Sequence, residues 1–349
     1  MPITLRSRSS RLLLLGLLLA FGACSRSDES PPVVIYVSAD EYVARPILDA
    51  FQQRTGTTVL PLFDTEATKT TGLVTRLRSE RARPRADLFW SSECFRMIEL
   101  QQEGVLGRYP GERIAEMNQG VPESWRSDEE AWVAFAPRAR VIVYAPDRVD
   151  AELVPRLWED LADPRWKDRI AMADPRFGTT GGHLGAMRVA WGEQRFDRWI
   201  DGLLDNRVRV LTSGNAGVVE GVASGEFDLG MTDTDDVWAA RARGLDVELV
   251  YPRHAAEEVP GGGTLLIPNT IGIIAGGPNP EAAHELAAWL SSAEVERMLM
   301  ETPSRNIPLR SDPGELAVPD PLQLRFEEAS RQRGPALESA RRRGLLEGR

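Results

Sequence analysis

The chain has 349 residues, 42% of them hydrophobic and 27% charged, with a formal net charge of −10 at pH 7. That length exceeds what a single hydrophobic core usually serves and predicts two lobes. An acidic chain repels phosphate backbones, which argues against nucleic acid as a partner. The basic run Arg341, Arg342 and Arg343 reads as a solvated helix face.

The N-terminus sets the compartment. Arg6, Arg8 and Arg11 form a basic region, Leu12 to Ala20 an apolar run broken only by Gly16, and Gly22 and Ala23 precede Cys24. This is the layout of a secretory signal peptide. The apolar run falls short of the ~20 residues that span a bilayer. A cysteine directly after small residues resembles a bacterial lipobox, with Phe21 where leucine is usual. Residues 1–23 are therefore expected to be removed, and Cys24 to become the lipidated first residue of a tether, 24–32, ending in Pro31 and Pro32. With Cys24 acylated, Cys94 has no disulfide partner; among Phe95, Met97 and Ile98 it is expected to be a buried, inert thiol.

Val33–Val37 is a short β-branched run and predicts a buried strand. Ala44, Ile47, Leu48 and Phe51 follow at helical spacing, and Gly56 ends that helix. Val59–Phe63 predicts a strand, Thr70 to Leu77 a helix, and Ala86–Trp90 a third strand. This alternation means a mostly parallel sheet flanked by helices. Trp132–Ala136 and Arg140–Tyr144 read as strands separated by Pro137. Strands at Ile170–Ala173, Val208–Leu211, Leu229–Thr232 and Val247–Tyr251 alternate with helices over 181–191, 193–204, 215–224 and 235–243. Leu265–Ala275 is apolar but interrupted by Pro268 and Asn269. Asn279-Pro280 opens a helix, and Ser291-x-x-Glu294 has capping-box form. The tail beyond Ser311 is expected to place a helix on the second lobe.

Two α/β units follow, joined near 132–142 and again near 252–268. The expected lobes are 33–137 plus 264–300 and 138–263 plus 301–349, hinged by two crossovers around a cleft, the preferred place for a ligand.

Several motifs carry a family likeness: Val33-Val-Ile-Tyr-Val-Ser-Ala-Asp, Asp64-Thr-Glu-Ala-Thr-Lys-Thr-Thr-Gly, Ala86-Asp-Leu-Phe-Trp, Asp174-Pro-Arg-Phe-Gly-Thr-Thr-Gly-Gly, Gly225-Glu-Phe-Asp-Leu-Gly-Met-Thr-Asp-Thr-Asp-Asp and Thr302-Pro-Ser-Arg-Asn-Ile-Pro-Leu. In this order, from about Val33 to about Arg310, the chain resembles the periplasmic ferric-binding proteins, among the bilobal solute-binding proteins of ABC importers. The resemblance implies the two-lobed type II binding-protein fold. It also implies capture of a small ligand, delivery to the membrane subunits of an ABC permease, and no chemistry on the cargo. The family's site is altered here. The paired tyrosines of ferric-binding relatives are represented by Asp235 and Asp236, the histidine of the first loop by Asp40 and Glu41, the glutamate of the second by Glu66, and the anion-binding stretch by Thr179-Thr180-Gly181-Gly182.

Apart from any family, Asp40, Glu41, Glu66, Asp233, Asp235 and Asp236 all follow predicted strands, at the sheet edge where open α/β proteins bind ligands. Converging carboxylates call for a hard cation, a ligand ammonium, or Lys69 and Arg176 of the protein. Acids also favour helix N-caps, and about half of these are expected to be caps only. A second feature is rich in hydroxyls and glycine. Thr65, Thr68, Thr70 and Thr71 surround Lys69, Thr179 to Gly182 precede one helix, and Ser213, Gly214 and Asn215 precede another. Helix starts of this kind bind anions. The expected ligand set is therefore Asp40, Glu41, Glu66, Thr68, Lys69, Thr70, Thr179, Thr180, Gly181, Asn215, Asp233, Asp235 and Asp236, with Glu66, Asp235 and Asp236 as metal ligands if the cargo is a metal. Two cargoes fit: ferric iron with a synergistic anion, or a phosphate-type or zwitterionic organic solute such as an aminophosphonate. No resident cofactor is expected, and the protein is expected to be a monomer.

An enzyme is disfavoured. His183, His254 and His284 lack metal-ligand spacing, no nucleophile elbow is present, and Gly261-Gly262-Gly263 lacks the lysine of a phosphate loop. His183, beside the anion stretch, reads equally as ligand contact or structural histidine. A ligand-sensing ectodomain shares the same cleft and is distinguished only by its partner.

Overall fold

The computed structural model describes Met1, residues 31–64 and residues 70–347. The described residues from Pro31 onward cluster as one compact unit. Its framework is a nine-stranded sheet in the order β2-β1-β3-β9-β4-β7-β5-β6, with β8 also paired to β4.

The first half follows the hydrophobic pattern. β1 (Val33–Val37) pairs in parallel with β2 (Val59–Phe63) and β3 (Leu88–Ser91). Between β1 and β2, α1 (Glu41–Thr55) buries Ala44, Ile47, Leu48 and Phe51, and stops at Gly56, whose left-handed φ of 74° lets its N–H reach the Gln52 carbonyl. α2 (Thr71–Glu80) returns the chain to β3. The short helices α3 (Phe95–Gln102) and α4 (Gly111–Met117) had no clear periodic signal.

The two predicted strands around Pro137 are one strand, β4 (Trp132–Tyr144). Its first part pairs with β9 (Leu266–Ile273) and its last part with β7 (Leu229–Asp233). A bulge between Phe135 and Arg138 absorbs the proline, because a residue without an N–H is tolerated where the ladder is already interrupted. Ala136 turns there with φ 38°. Its N–H donates to Glu296 (3.1 Å), and its carbonyl accepts from Asn269 (2.7 Å). Pro268 and Asn269 lie on the facing stretch of β9, so the apolar run passes through them unbroken.

The second half repeats the theme. β5 (Ile170–Ala173) pairs in parallel with β6 (Arg209–Leu211) and β7, while β8 (Glu248–Val250) joins β4. α5 (Gly178–Trp191), α6 (Glu193–Asp205), α7 (Gly214–Ala223) and α8 (Thr234–Ala242) flank it. α6 buries Phe196, Trp199, Ile200 and Leu203, each worth about 1.5–3 kcal/mol when fully removed from water.

α9 (Pro280–Leu290) is capped as expected, Asn279 accepting from the Ala282 N–H. The cap of α10 (Ala293–Glu301) is Ser292, whose hydroxyl accepts from Val295 N (3.2 Å); Ser291 instead donates to the Ala287 carbonyl (2.9 Å). The tail helix α11 (Phe326–Arg343) does more than cover the second half. Ser339 donates to Asp197 of α6 at 2.6 Å, yet Ser330 donates to the Phe95 carbonyl of α3 at 3.1 Å and Phe326 packs edge-on against Phe95. α11 thus ties α3 to α5 and α6.

Candidate functional site

The C-terminal ends of β1, β3, β5, β6 and β7 face one cleft, which opens to solvent. This is the edge at which doubly wound sheets gather ligands. Asp40, Trp90, Ser92 and Asn269 line it from the first half of the sheet, and Arg138, Asp174, Thr179, Thr180, Asn215, Asp233, Asp235 and Asp236 from the second.

The expected capping role fails for two of the acids. Asp40 and Asp233 stand at the N-cap positions of α1 and α8, but neither side chain bonds its helix. Asp235 and Asp236 occupy the first turn of α8, and carboxylate oxygens of Asp233, Asp235 and Asp236 lie within 4.8 Å of one another. Asp233 is the buried anchor. Its carboxylate accepts from Arg140 Nη1 (2.8 Å), Thr179 Oγ1 (2.6 Å) and Asn215 Nδ2 (2.9 Å). Burial alone would raise its pKa, but the Arg140 and Arg138 guanidinium groups outweigh that and hold it below the ordinary carboxylate value. Arg138 lies with its Nε 3.3 Å from Asp235 and 3.4 Å from Asp233.

The pattern reading missed the two arginines that contact Asp233. Their signal is visible: two charges inside the otherwise apolar run Trp132–Tyr144, both buried in the structure. A buried arginine is rarely left unpaired.

Opposite charge preference is built at two helix starts. Gly178, Thr179 and Thr180 form the first turn of α5, rather than preceding it, and Gly214 and Asn215 begin α7. Gly178 (φ 57°) and Gly214 (φ 73°) take left-handed backbone at these starts, which favours glycine. The first amides of each helix lack intrahelical acceptors and favour an anion.

Other expected residues lie elsewhere. Gly181 is buried away from the cleft lining; a β-carbon on it would come within 2.2 Å of the Pro175 carbonyl, so it serves close packing. Thr70 stands at the N-cap position of α2 with a φ of 69°, makes no side-chain bond to that helix, and is likewise buried outside the lining. Glu41 is exposed at the outer mouth, accepting from Arg45 Nε at 2.7 Å. Arg176 is committed to Asp174 (2.9 Å) and not to the acidic triad. Glu66, Thr68, Lys69 and Cys24 lie outside the described residues.

His183 is structural. Arg140 Nε donates to its Nδ1 (3.2 Å), which places its proton on Nε2, 2.9 Å from His254 Nε2. His254 in turn donates from Nδ1 to the Gly263 carbonyl (2.8 Å). Burial, then Arg140 and His254, push the His183 pKa well below the ordinary value, so the ring is a neutral acceptor that orients Arg140.

Two sheet halves crossed by β4 and β9 around a cleft make the type II periplasmic-binding-protein fold, which solved structures share. The iron-bound HitA protein of Pseudomonas aeruginosa superposes with a TM-score of 0.77 at 23% identity, covering 90% of this chain and 100% of that one. Residues 33–302 match the bacterial extracellular solute-binding protein family, and the chain belongs to it. The major ferric iron-binding protein of Neisseria meningitidis is 26% identical over 283 residues, 81% of this chain and 82% of its own. Iron uptake protein A1 of Synechocystis is 28% identical over 66% of this chain; there the match spans 63% of the relative's length, just under two thirds. Among the described residues, no helix is long and apolar enough to cross a membrane.

Proposed function

We propose that this protein captures ferric iron together with a small anion and delivers it to the membrane subunits of an ABC importer. The observation that carries this reading is the cleft's division of charge. Asp40, Asp235 and Asp236 line it beside the first turns of α5 and α7. Oxygen donors suit a hard cation, and helix starts suit the anion that completes its shell. The names of the Neisseria and Synechocystis relatives support iron as the cation. By the resemblance, Asp235 and Asp236 stand where ferric-binding relatives carry paired tyrosines, so the cation would be held by carboxylates from both halves of the sheet. Cargo touching both lobes would favour the closed form.

The same proposal includes removal of residues 1–23, acylation of Cys24, a periplasmic location, and lobes of 33–137 plus 264–300 and 138–263 plus 301–349. Titration with ferric citrate, followed by tryptophan fluorescence with Trp90 in the cleft wall, tests the cargo. Asp235→Asn and Asp236→Asn should each weaken binding about tenfold or more while leaving the melting temperature within a few degrees. Unchanged affinity in both variants would remove α8 from the site. A response to phosphate esters with none to ferric citrate would move the cargo to an organic anion.

A further inference from the structure

The chain holds three histidines, and two of them meet in the interior. His183 of α5 and His254, in the loop leading from β8 into β9, are buried against Trp158, with Trp191 on the His254 ring. The two ends of the pair fix every proton in it. A guanidinium only donates, so His183 Nδ1 accepts from Arg140 Nε (3.2 Å) and carries its own proton on Nε2. A carbonyl only accepts, so His254 donates from Nδ1 to Gly263 (2.8 Å) and offers a bare Nε2 to His183, 2.9 Å away. Both ends demand the same polarity. At its inner end the relay meets the cleft. Arg140 Nη1 lies 2.8 Å from Asp233, 3.2 Å from Thr179 Oγ1 and 3.4 Å from Asn215 Oδ1, and those three residues line the cleft. Arg140 Nη2 is buried with no hydrogen-bond partner among the described residues, so beyond the Nη1 contacts the guanidinium rests on His183. The outer end is the loop 254–263. There the His254 N–H donates to the Gly262 carbonyl (2.8 Å), and the Gly261 N–H to the Asp320 carboxylate (2.6 Å).

We infer that His183 and His254 are positioning residues for ligand capture, a relay that holds Arg140 against Thr179 and Asn215 and so ties the helix starts of the cleft to the loop 254–263. Neither ring touches a ligand; each acts through Arg140. Without the His183 acceptor the guanidinium loses its Nε bond in a buried place, where an unpaired charged donor is costly, and it turns to seek another. Thr179 and Asn215 then lose the contact that orders them. A binding group held by locked neighbours gives up affinity when those neighbours loosen. This rests on the cleft being the binding site, as proposed above, and not on which cargo fills it.

The test compares His183→Leu, which removes the acceptor, with His183→Asn, whose amide oxygen takes the place of Nδ1. Both are titrated with ferric citrate and with inorganic phosphate, followed by tryptophan fluorescence, and both are measured by amide hydrogen exchange without cargo. His183→Leu should lose about tenfold in affinity for the probe that wild type binds, whereas His183→Asn should stay within about threefold of wild type. In the cargo-free His183→Leu protein, the amides that bond back to the two helix starts, 182–184 and 218–220, should exchange faster, with those of α6 unchanged. Wild-type affinity in His183→Leu, or an equal loss in His183→Asn, overturns the inference. Should His183→Leu fail to fold, His254→Leu decides. It leaves Arg140 its acceptor but no longer fixes the His183 proton, so it should lose about threefold in affinity and quicken the same exchange; a variant matching wild type in both overturns the inference. Wild-type protein that takes up neither probe removes the cargo reading, and exchange alone then decides: unaltered exchange at both helix starts overturns the relay.

Discussion

Replacing His254 by glutamine should flatten the acid sensitivity of the fold. His254 is buried, its ring packed against those of His183, Trp158 and Trp191. Burial pushes its pKa down to about 4; the Gly263 carbonyl opposes this and Arg140 adds to it. In the unfolded chain a histidine titrates near ~6.5. Between these values the unfolded state binds more protons than the folded state, so stability is full above the unfolded pKa and falls as pH drops toward 4. At pH 4.5 the loss attributable to His254 is about 2.5 kcal/mol. Asp87, Glu93 and Glu327, whose pKa values burial raises, act with the opposite sign. The informative quantity is therefore the difference between wild type and variant. Urea denaturation at pH 7.5 and pH 4.5, followed by tryptophan fluorescence, measures it. The glutamine amide can still accept from His183 and donate to Gly263, so the cost at pH 7.5 should be only about 1–2 kcal/mol. If the variant loses as much stability between the two pH values as wild type does, His254 is not the acid-sensitive element.

Three further expectations concern the framework. Glu296 is fully buried and accepts from Arg310 Nη1 (2.7 Å) and from the N–H groups of Ala136, Leu309 and Arg310 at the crossover. Glu296→Gln should therefore cost about 3–5 kcal/mol in urea denaturation at neutral pH. Gly182 packs directly on Phe95 of α3, and a β-carbon there would come within 2.0 Å of the ring. Gly182→Ala should cost about 1–3 kcal/mol, and Phe95→Leu in the same chain should recover part of that in thermal melts. Cys94 is fully buried, and burial followed by the Glu93 charge raises its thiol pKa well above the ordinary value. It should ignore a thiol reagent in the native protein and react only on unfolding; fast reaction in the folded state would contradict the packing around it.

Much of the fold was legible because burial on a sheet imposes a period. β1, α1 and β2 were bounded to within a few residues by the runs Val33–Val37, Ala44–Phe51 and Val59–Phe63. What failed was local chemistry overridden by tertiary partners. Pro137 looked like a strand break, but a bulge and the Glu296 carboxylate satisfy the backbone around it. Ser291 looked like a cap, yet the chain turns one residue later, so Ser292 takes the role. The site was half visible. Acids after strands pointed to the sheet edge where the cleft lies, but nothing local distinguishes Asp233, buried against Arg140, from the less buried Asp235 beside Arg138. Gly181 illustrates the converse, because a glycine at a helix start reads as a ligand cradle and packs instead against the Pro175 carbonyl.

The central claim is that the cleft carries ferric iron with an anion. Native mass spectrometry of protein purified from an iron-replete host, without chelator, tests it most directly, by the difference between native and denatured mass. The account predicts an added mass of one iron with a small anion. An organic phosphate in its place, or an empty protein that stays empty when ferric citrate is added, would contradict it.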